Sequence, residues 1–477
     1  MTKPTDSVLK TLKEAVGPDG WVDDPEELEP YLTDWRGLYR GRTPLLIRPA
    51  TTKEVSRVVT VCAEHRVGIV PQGGNTGLCG GGVPDASGAQ ILLNLTRMNR
   101  VRAVDRRDAT ATVDAGCVLA DLQSAAEDAG FLFPLSLAAE GSCTIGGNLS
   151  TDAGGVHVVR YGTMRDLTLG LEVVLPDGRV WGGLRRLYKD TAGYDLKQLF
   201  IGAEGTLGVI TGAVLRLFPK PLDVATAWVG ISSVGEIMSL FEHARTVVAD
   251  ELLAFEFLPS AGLEFVLRHI PDTRSPLTNE HPWYVLIELG GQRSGDRTER
   301  DLERLLETAA EKDLITDAAI ATSGVQAEAF WRLRESMSEA QKKEGGSIKH
   351  DVSVPLSAVD SFVESATEAV RSEIPGIRVV AFGHAGDGNV HFNLSQPVDM
   401  ERDVFLSRWN EMSRIVHDNV KQYGGSICAE HGVGQLKRDE LLRYRDPVEI
   451  GLMQTLKKAL DPHGIMNPGK VIPGPEC

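Results

Sequence analysis

Between two short apolar runs, Val67-Gly68-Ile69-Val70 and Ile91-Leu92-Leu93-Asn94-Leu95, the chain carries Pro71-Gln72-Gly73-Gly74-Asn75-Thr76-Gly77-Leu78-Cys79-Gly80-Gly81-Gly82. Closely spaced glycines let backbone N–H groups surround an anion, and a diphosphate is the natural guest. A Rossmann loop would open directly into a helix and be answered by an acid about twenty residues later. Here Val83-Pro84 and a short polar turn lead into another strand, so that fold is excluded. A flexible surface loop has the same composition, and this loop alone leaves both readings open. Two further stretches narrow the choice. Gly141-Ser142-Cys143-Thr144-Ile145-Gly146-Gly147-Asn148-Leu149-Ser150-Thr151-Asp152-Ala153-Gly154-Gly155 combines small residues with hydroxyls and an amide, and Gly202-Ala203-Glu204-Gly205-Thr206-Leu207-Gly208-Val209-Ile210 enters a strand. Three such loops suggest a dinucleotide gripped by loops of two subdomains.

At 477 residues the chain has material for two or three domains. A formal charge of −16, with no Lys/Arg-rich run, argues against a nucleic-acid surface, so an acidic substrate needs a local basic pocket. Met1-Thr2-Lys3-Pro4-Thr5-Asp6 lacks the apolar core of a signal peptide, and no stretch reaches the length of a membrane span. The expectation is a cytoplasmic protein. Cysteines at 62, 79, 117, 143, 428 and 477 form no CxxC pair and read as reduced, mostly buried thiols.

Three regions separate along the chain: 1–220, glycine-rich; 221–425, with longer elements; and 426–477, a turn-rich C-terminal segment. In the first, Thr51-Thr52-Lys53-Glu54 is a capping box opening a helix with Val55, Val58, Val59 and Cys62 on one face. A second helix is expected near Leu119, Leu122, Ala125 and Ala126. In the second region, strands at 225–231, 252–257, 283–289 and 318–322 alternate with helices through Ile237 and Leu240 and at 297–312. That β-α-β-β-α-β order is ferredoxin-like. Helices at 325–344, 356–373 and 401–422 and strands near 348–354, 377–382 and 389–394 extend it.

Gly383-His384-Ala385-Gly386-Asp387-Gly388-Asn389-Val390-His391 and Glu430-His431-Gly432 carry the chemistry. The glycines with Asp387 and Asn389 predict a tight turn, so His384 and His391 flank a strand–turn–strand bend and their rings can converge. Two imidazoles and a carboxylate are a usual set for a catalytic divalent metal and leave coordination positions open. A further histidine remains for proton transfer. Asn393, two residues beyond His391, shares its face by strand alternation. The alternative is a polar turn whose histidines are separately satisfied by backbone groups.

In this order the three loops resemble the flavin-binding domain of the vanillyl-alcohol oxidase/p-cresol methylhydroxylase superfamily. GHxGDGNxH followed by EHG resembles its branch of FAD-linked D-2-hydroxy acid dehydrogenases, over nearly the whole chain. The resemblance implies an α+β protein: a two-subdomain FAD-binding domain, a ferredoxin-like substrate domain, and a C-terminal segment returning to the flavin. It implies FAD contacts from Pro71, Gly73, Gly74, Asn75, Thr76, Gly77, Leu78, Pro134, Ser142, Gly146, Asn148, Thr151, Gly205, Ile210 and Asn467. Some relatives attach flavin through a histidine or cysteine. The first loop has no histidine, and Cys79 matches no attachment position, so noncovalent FAD is expected. The branch binds a divalent ion, usually zinc, which maps to His384, His391 and Glu430, with His431 as general base. Asp387 is an alternative ligand, but in Gly-Asp-Gly its carboxylate is expected to pin the turn.

Arg334, Ser338, Lys349 and Asn393 match the substrate set of D-2-hydroxyglutarate dehydrogenases, the first three holding the distal carboxylate, with Ser338 in place of a threonine. Arg334 and Ser338 are four apart on one expected helix. Lactate would leave such a cationic pocket empty, at a cost. The alternative is that Arg334 and Lys349 are solvated charges beside Arg332, Lys342 and Lys343. The expected reaction is oxidation of D-2-hydroxyglutarate to 2-oxoglutarate with hydride passing to flavin N5. A D-lactate or broad-range D-2-hydroxy acid dehydrogenase, an alkylglycerone-phosphate-synthase-like transferase, and a non-enzymatic binding protein are the alternatives. Electron-transfer flavoprotein or quinone is the expected acceptor, and a homodimer the expected assembly.

Overall fold

Thr51 opens the first long helix as the capping box predicts: its hydroxyl accepts the Glu54 N–H at 3.2 Å, and Thr52–His65 buries Val55, Val58, Val59 and Cys62. The computed structural model describes residues 2–472 apart from 294 and 296. The chain divides into two compact units, one of residues 1–154, 163–219 and 430–477, the other of 155–162 and 220–429.

The first unit contains two main sheets. In the four-stranded one, Gly68–Gln72 and Gln90–Asn94 run parallel, as do Gln90–Asn94 and Leu46–Ile47, while Trp21–Val22 closes the edge antiparallel. Gly68–Gln72 and Gln90–Asn94 are buried almost throughout, the burial pattern of parallel strands covered on both faces. The first glycine loop leaves the end of Gly68–Gln72. The five-stranded antiparallel sheet runs Val101–Asp105, Thr110–Asp114, Val209–Arg216, Thr168–Val174, Val180–Gly183. Sequence reading anticipated only the strand that follows the third loop. Val101–Asp105 and Thr110–Asp114 mix charged and hydroxyl residues with Val and Ala, so no apolar run marks them. Asp114 is fully buried between Arg100 and Arg102, whose Nε groups donate to it at 3.0 and 2.6 Å.

The C-terminal segment carries two unanticipated helices, Arg438–Tyr444 and Pro447–Leu460. Its tail then adds a parallel bridge between Met466 and Ile69: the Ile69 N–H donates to Ile465 O at 2.8 Å and the Asn467 N–H to Ile69 O at 2.8 Å. The tail thereby borders the strand that delivers the glycine loop.

The second unit is one seven-stranded antiparallel sheet, in the order Asp317–Ile320, Asp223–Ile231, Trp283–Gly291, Leu252–Pro259, Arg378–His384, Asn389–Ser395, Ser347–Ser353. In chain order its first four strands lie fourth, first, third, second across the sheet, the ferredoxin-like arrangement. Strand alternation gives it two working faces. On one, Phe255 meets Phe241 and Phe392 meets Phe362, from the helices Val234–Val247 and Val359–Glu373. On the other, Trp228, Leu286, Leu258, Val380 and Phe382 form a core with Phe330, Leu333 and Met337. Ser260–His269, a helix not anticipated, joins this second core through Leu263, Phe265 and Val266.

The helix expected over 325–344 is two: Gly324–Glu335 and Met337–Lys342, separated at Ser336. Arg334 and Ser338 therefore do not share one continuous helix. The 401–422 helix is likewise broken at Arg408, into Arg402–Ser407 and Trp409–Gln422. Cys62, Cys79, Cys117 and Cys143 are buried free thiols and Cys428 is partly buried; Cys477 lies outside the described residues.

Candidate active site

The histidine motif forms a hairpin. Arg378–His384 pairs with Asn389–Ser395, His384 opposite Asn389 and Phe382 opposite His391. Asp387 pins the turn, its carboxylate accepting the Asn389 N–H at 2.9 Å. Gly388 there has φ +78°, a conformation costly for any residue with a Cβ. The His384 and His391 rings converge, centroids 5.6 Å apart and nearly perpendicular at 79°.

Two acids absent from the sequence reading back these imidazoles. Glu256 lies opposite His384 on Leu252–Pro259 and is fully buried. Its Oε1 bonds to His384 Nδ1 at 2.6 Å, while its Oε2 accepts from Arg334 Nε at 2.9 Å and Nη2 at 2.7 Å. Burial alone would raise the Glu256 carboxyl, but His384 and Arg334 outweigh it and hold the group below its ordinary value. Asp351 lies opposite His391 on Ser347–Ser353, with 3.8 Å between its Oδ1 and His391 Nδ1, and it accepts the Asn389 side-chain N–H at 2.9 Å. Glu256 had a signal: it is the one acid in Leu-Leu-Ala-Phe-Glu-Phe-Leu-Pro, and a charge so buried is paired. Asp351, in a mixed strand, had none.

The expected substrate residues gather on the same face. Asn393 is opposite Lys349 and Val380, and its amide N–H donates to the buried Gln341 Oε1 at 2.9 Å. Lys349 Nζ donates to Ser338 O at 3.4 Å. Arg334 is 8% exposed, so it is no solvated charge; its guanidinium lies over the Phe382 ring at 4.7 Å. Ser338 is exposed. Within the second unit, the Ala429 N–H reaches Asp351 O at 3.4 Å and Ser426 is bridged to Ser353, so the end of that unit is tied to this strand. Within the first unit, His431 Nε2 and Glu430 Oε1 are 3.6 Å apart.

In the first unit the three glycine loops meet. A Cβ on Gly74 would stand 1.8 Å from Ser142 O, one on Gly73 2.1 Å from Thr144 Oγ1, and one on Gly205 2.9 Å from Pro71 Cγ. The first loop is fastened at its flanks, Gln72 Nε2 donating to Gly82 O at 2.9 Å and Asn75 Nδ2 to Thr33 O at 2.9 Å. Yet among the described residues none of the backbone N–H groups of 73–77 donates a hydrogen bond. Gly77 faces open space, and the buried Thr144 hydroxyl has no partner. A fastened loop with successive open N–H groups suits a diphosphate.

The remaining expected contacts differ in availability. Gly146 packs on Ala115, Asn148 donates to Cys143 Sγ at 3.5 Å and Thr151 to Gly147 O at 3.3 Å. Pro134 is buried, Leu78 partly so, and Ile210 lies within the five-stranded sheet. Asn467 donates to Gly81 O at 3.0 Å and Glu204 O at 2.7 Å, leaving its buried Oδ1 without a partner. Glu204, in the third loop, accepts the N–H groups of Val433 and Gly434 at 2.6 and 2.9 Å.

The family profile for the C-terminal domain of FAD-linked oxidases matches residues 220–471, and that for an FAD binding domain matches 43–182. The chain belongs to the FAD-linked oxidases. Its curated relatives include mitochondrial D-2-hydroxyglutarate dehydrogenases of Danio rerio, 40% identical over 96% of this chain and 84% of that one, and of Arabidopsis thaliana, 38% identical over 97% and 81%. These place it in the D-2-hydroxy acid dehydrogenase branch of that family. Solved structures share the fold: p-cresol methylhydroxylase, with a TM-score of 0.77 at 18% identity over 98% of this chain and 96% of that one, and alkyldihydroxyacetonephosphate synthase, 0.74 at 19% over 98% and 85%. The cytoplasmic expectation is overturned, because the relatives from plant, fish and cattle are named as mitochondrial. The lack of an apolar secretory core does not distinguish cytoplasm from organelle. Among the described residues, no helix is long and apolar enough to cross a membrane.

Proposed function

We propose that this FAD-linked oxidase oxidises D-2-hydroxyglutarate to 2-oxoglutarate. The observation that carries the reading is the single sheet face on which His384 and His391 lie beside the buried cation Arg334, with Lys349 and Asn393 following along the neighbouring strands. A C5 dicarboxylate has one carboxylate for each end of that face, and relatives at 38–40% identity are named for this substrate.

His384, His391 and Glu430 would hold a divalent ion, zinc for preference, which would supply Lewis acidity that lowers the pKa of a 2-hydroxyl. His431 accepts the hydroxyl proton. Arg334, Ser338 and Lys349 orient the distal carboxylate, and Asn393 contacts the substrate beside His391. FAD, held noncovalently by the loop at 73–77 with Pro71, Leu78, Pro134, Ser142, Gly146, Asn148, Thr151, Gly205, Ile210 and Asn467, supplies the hydride acceptor. Electron-transfer flavoprotein or quinone reoxidises it, and the protein is a homodimer.

Steady-state rates with D-2-hydroxyglutarate, D-malate and D-lactate, read with an electron-accepting dye, test the reading. The expected order places D-2-hydroxyglutarate first in kcat/KM. A higher value for D-lactate, the substrate for which a Schizosaccharomyces pombe relative is named, would sink it. Absence of any dye reduction would favour transferase chemistry instead.

A further inference from the structure

We propose that Glu256 is a positioning residue that couples the two ends of the substrate site, orienting His384 with one carboxylate oxygen and Arg334 with the other. The inference rests on the reading above of His384 as a metal ligand and Arg334 as a substrate cation.

Glu256 enters from Leu252–Pro259, a strand with no other candidate site residue. Its Oε1 lies 2.6 Å from His384 Nδ1, and an ionised carboxylate can only accept there, so the ring proton sits on Nδ1 and Nε2 is the nitrogen through which His384 would ligate a metal. Its Oε2 takes Nε–H and one Nη2–H of Arg334, so three of the five guanidinium N–H groups, two on Nη1 and one on Nη2, are not committed to Glu256. Phe382, between the strands of Glu256 and His391, closes the arrangement: its ring lies 4.7 Å beneath the Arg334 guanidinium and 5.0 Å from the His391 ring. A shift of either partner of Glu256 is therefore transmitted to the other through one rigid carboxylate. The spacing between metal-ligating nitrogen and uncommitted guanidinium N–H groups, which selects the length of the substrate, depends on it.

Glu256→Gln has nearly the same shape and cannot serve both partners. With the amide oxygen toward Arg334, its NH2 faces His384 Nδ1 and drives the ring proton to Nε2. With the oxygen toward His384, the NH2 confronts two donors of Arg334. Two quantities are read on FAD-loaded protein: zinc affinity of the chelator-stripped form, by competition with a chromogenic chelator, and, after zinc is restored to saturation, the ratio of kcat/KM for D-2-hydroxyglutarate over D-lactate. Zinc binding is expected to weaken about 10- to 100-fold or the ratio to fall by a similar factor. A merely structural role would lower both substrates alike and leave zinc affinity unchanged, and that result overturns the inference.

Should Glu256→Gln not fold, Glu256→Asp keeps the charge but is one methylene short of bridging, and the same readouts apply. In the unaltered protein, 15N-histidine spectra should show His384 with its proton on Nδ1, the signal identified by its loss in His384→Gln; an Nε2–H tautomer also overturns the inference. Unaltered protein that takes up no zinc counts against the metal reading itself. Unaltered protein that binds zinc beside a Glu256→Gln variant of equal affinity and equal ratio counts against Glu256 alone.

Discussion

His431 and Arg334 are single residues whose removal should separate chemistry from binding. Anaerobic D-2-hydroxyglutarate should bleach the flavin absorption of the unaltered protein, and His431→Ala should abolish that bleaching while FAD and metal remain bound; bleaching at the original rate would remove His431 as base. Arg334→Ala should lower kcat/KM for D-2-hydroxyglutarate far more than for D-lactate, since lactate has no distal carboxylate. The structure adds a second effect: Glu256 is fully buried, and without Arg334 its charge is left to His384 alone. Breaking a buried pair from one side costs about 3–5 kcal/mol, so a lowered denaturation midpoint should accompany the change in selectivity. Equal losses on both substrates would refute the pocket assignment. At this scale the histidines were legible because the tight turn declares itself in Gly-Asp-Gly. Their carboxylate partners were less so, because Glu256 is 128 positions from His384 and Asp351 is 40 from His391.

Loops and helices set the next level. Because a Cβ on Gly74 would stand 1.8 Å from a backbone oxygen of the second loop, Gly74→Ala must push the two loops apart. Purified protein should carry markedly less FAD, measured as the ratio of flavin to protein absorbance; full loading would show that the loops do not form the cradle. The third loop is fastened to the C-terminal segment by Glu204, whose burial lifts its carboxyl to about 7 despite two backbone donors and the nearby Lys437 and Lys470. A folded pKa above the unfolded one, near 4.5, means the native state binds the extra proton. Its contribution is fully present below about 4.5 and is lost as pH rises to about 7, by roughly 3 kcal/mol at most. Urea midpoints across that window should fall with pH, and Glu204→Gln should flatten the slope. Helix existence was mostly legible from capping and periodicity, as with Thr52–His65. Helix ends were not: the break at Ser336 has no proline or glycine to announce it.

For the whole molecule, the metal reading makes a prediction independent of any variant. Chelation should leave a yellow, FAD-bound protein without turnover, and zinc should restore it; activity that survives complete metal removal would count against the reading. The two units are each assembled from separated stretches, the first recruiting 430–477 and the second 155–162. No composition shift marks such exchanges. The sequence by itself determined the flavin-type loops, the histidine hairpin and the ferredoxin-like strand order, because glycine spacing, turn chemistry and hydrophobic period are local properties of the chain. Only the tertiary structure decided what faces what: the open N–H groups of 73–77 between fastened loops, and the carboxylate of Glu256 shared by Arg334 and His384. Those depend on strand register and on burial, which exist only once residues far apart in the chain are brought side by side away from water.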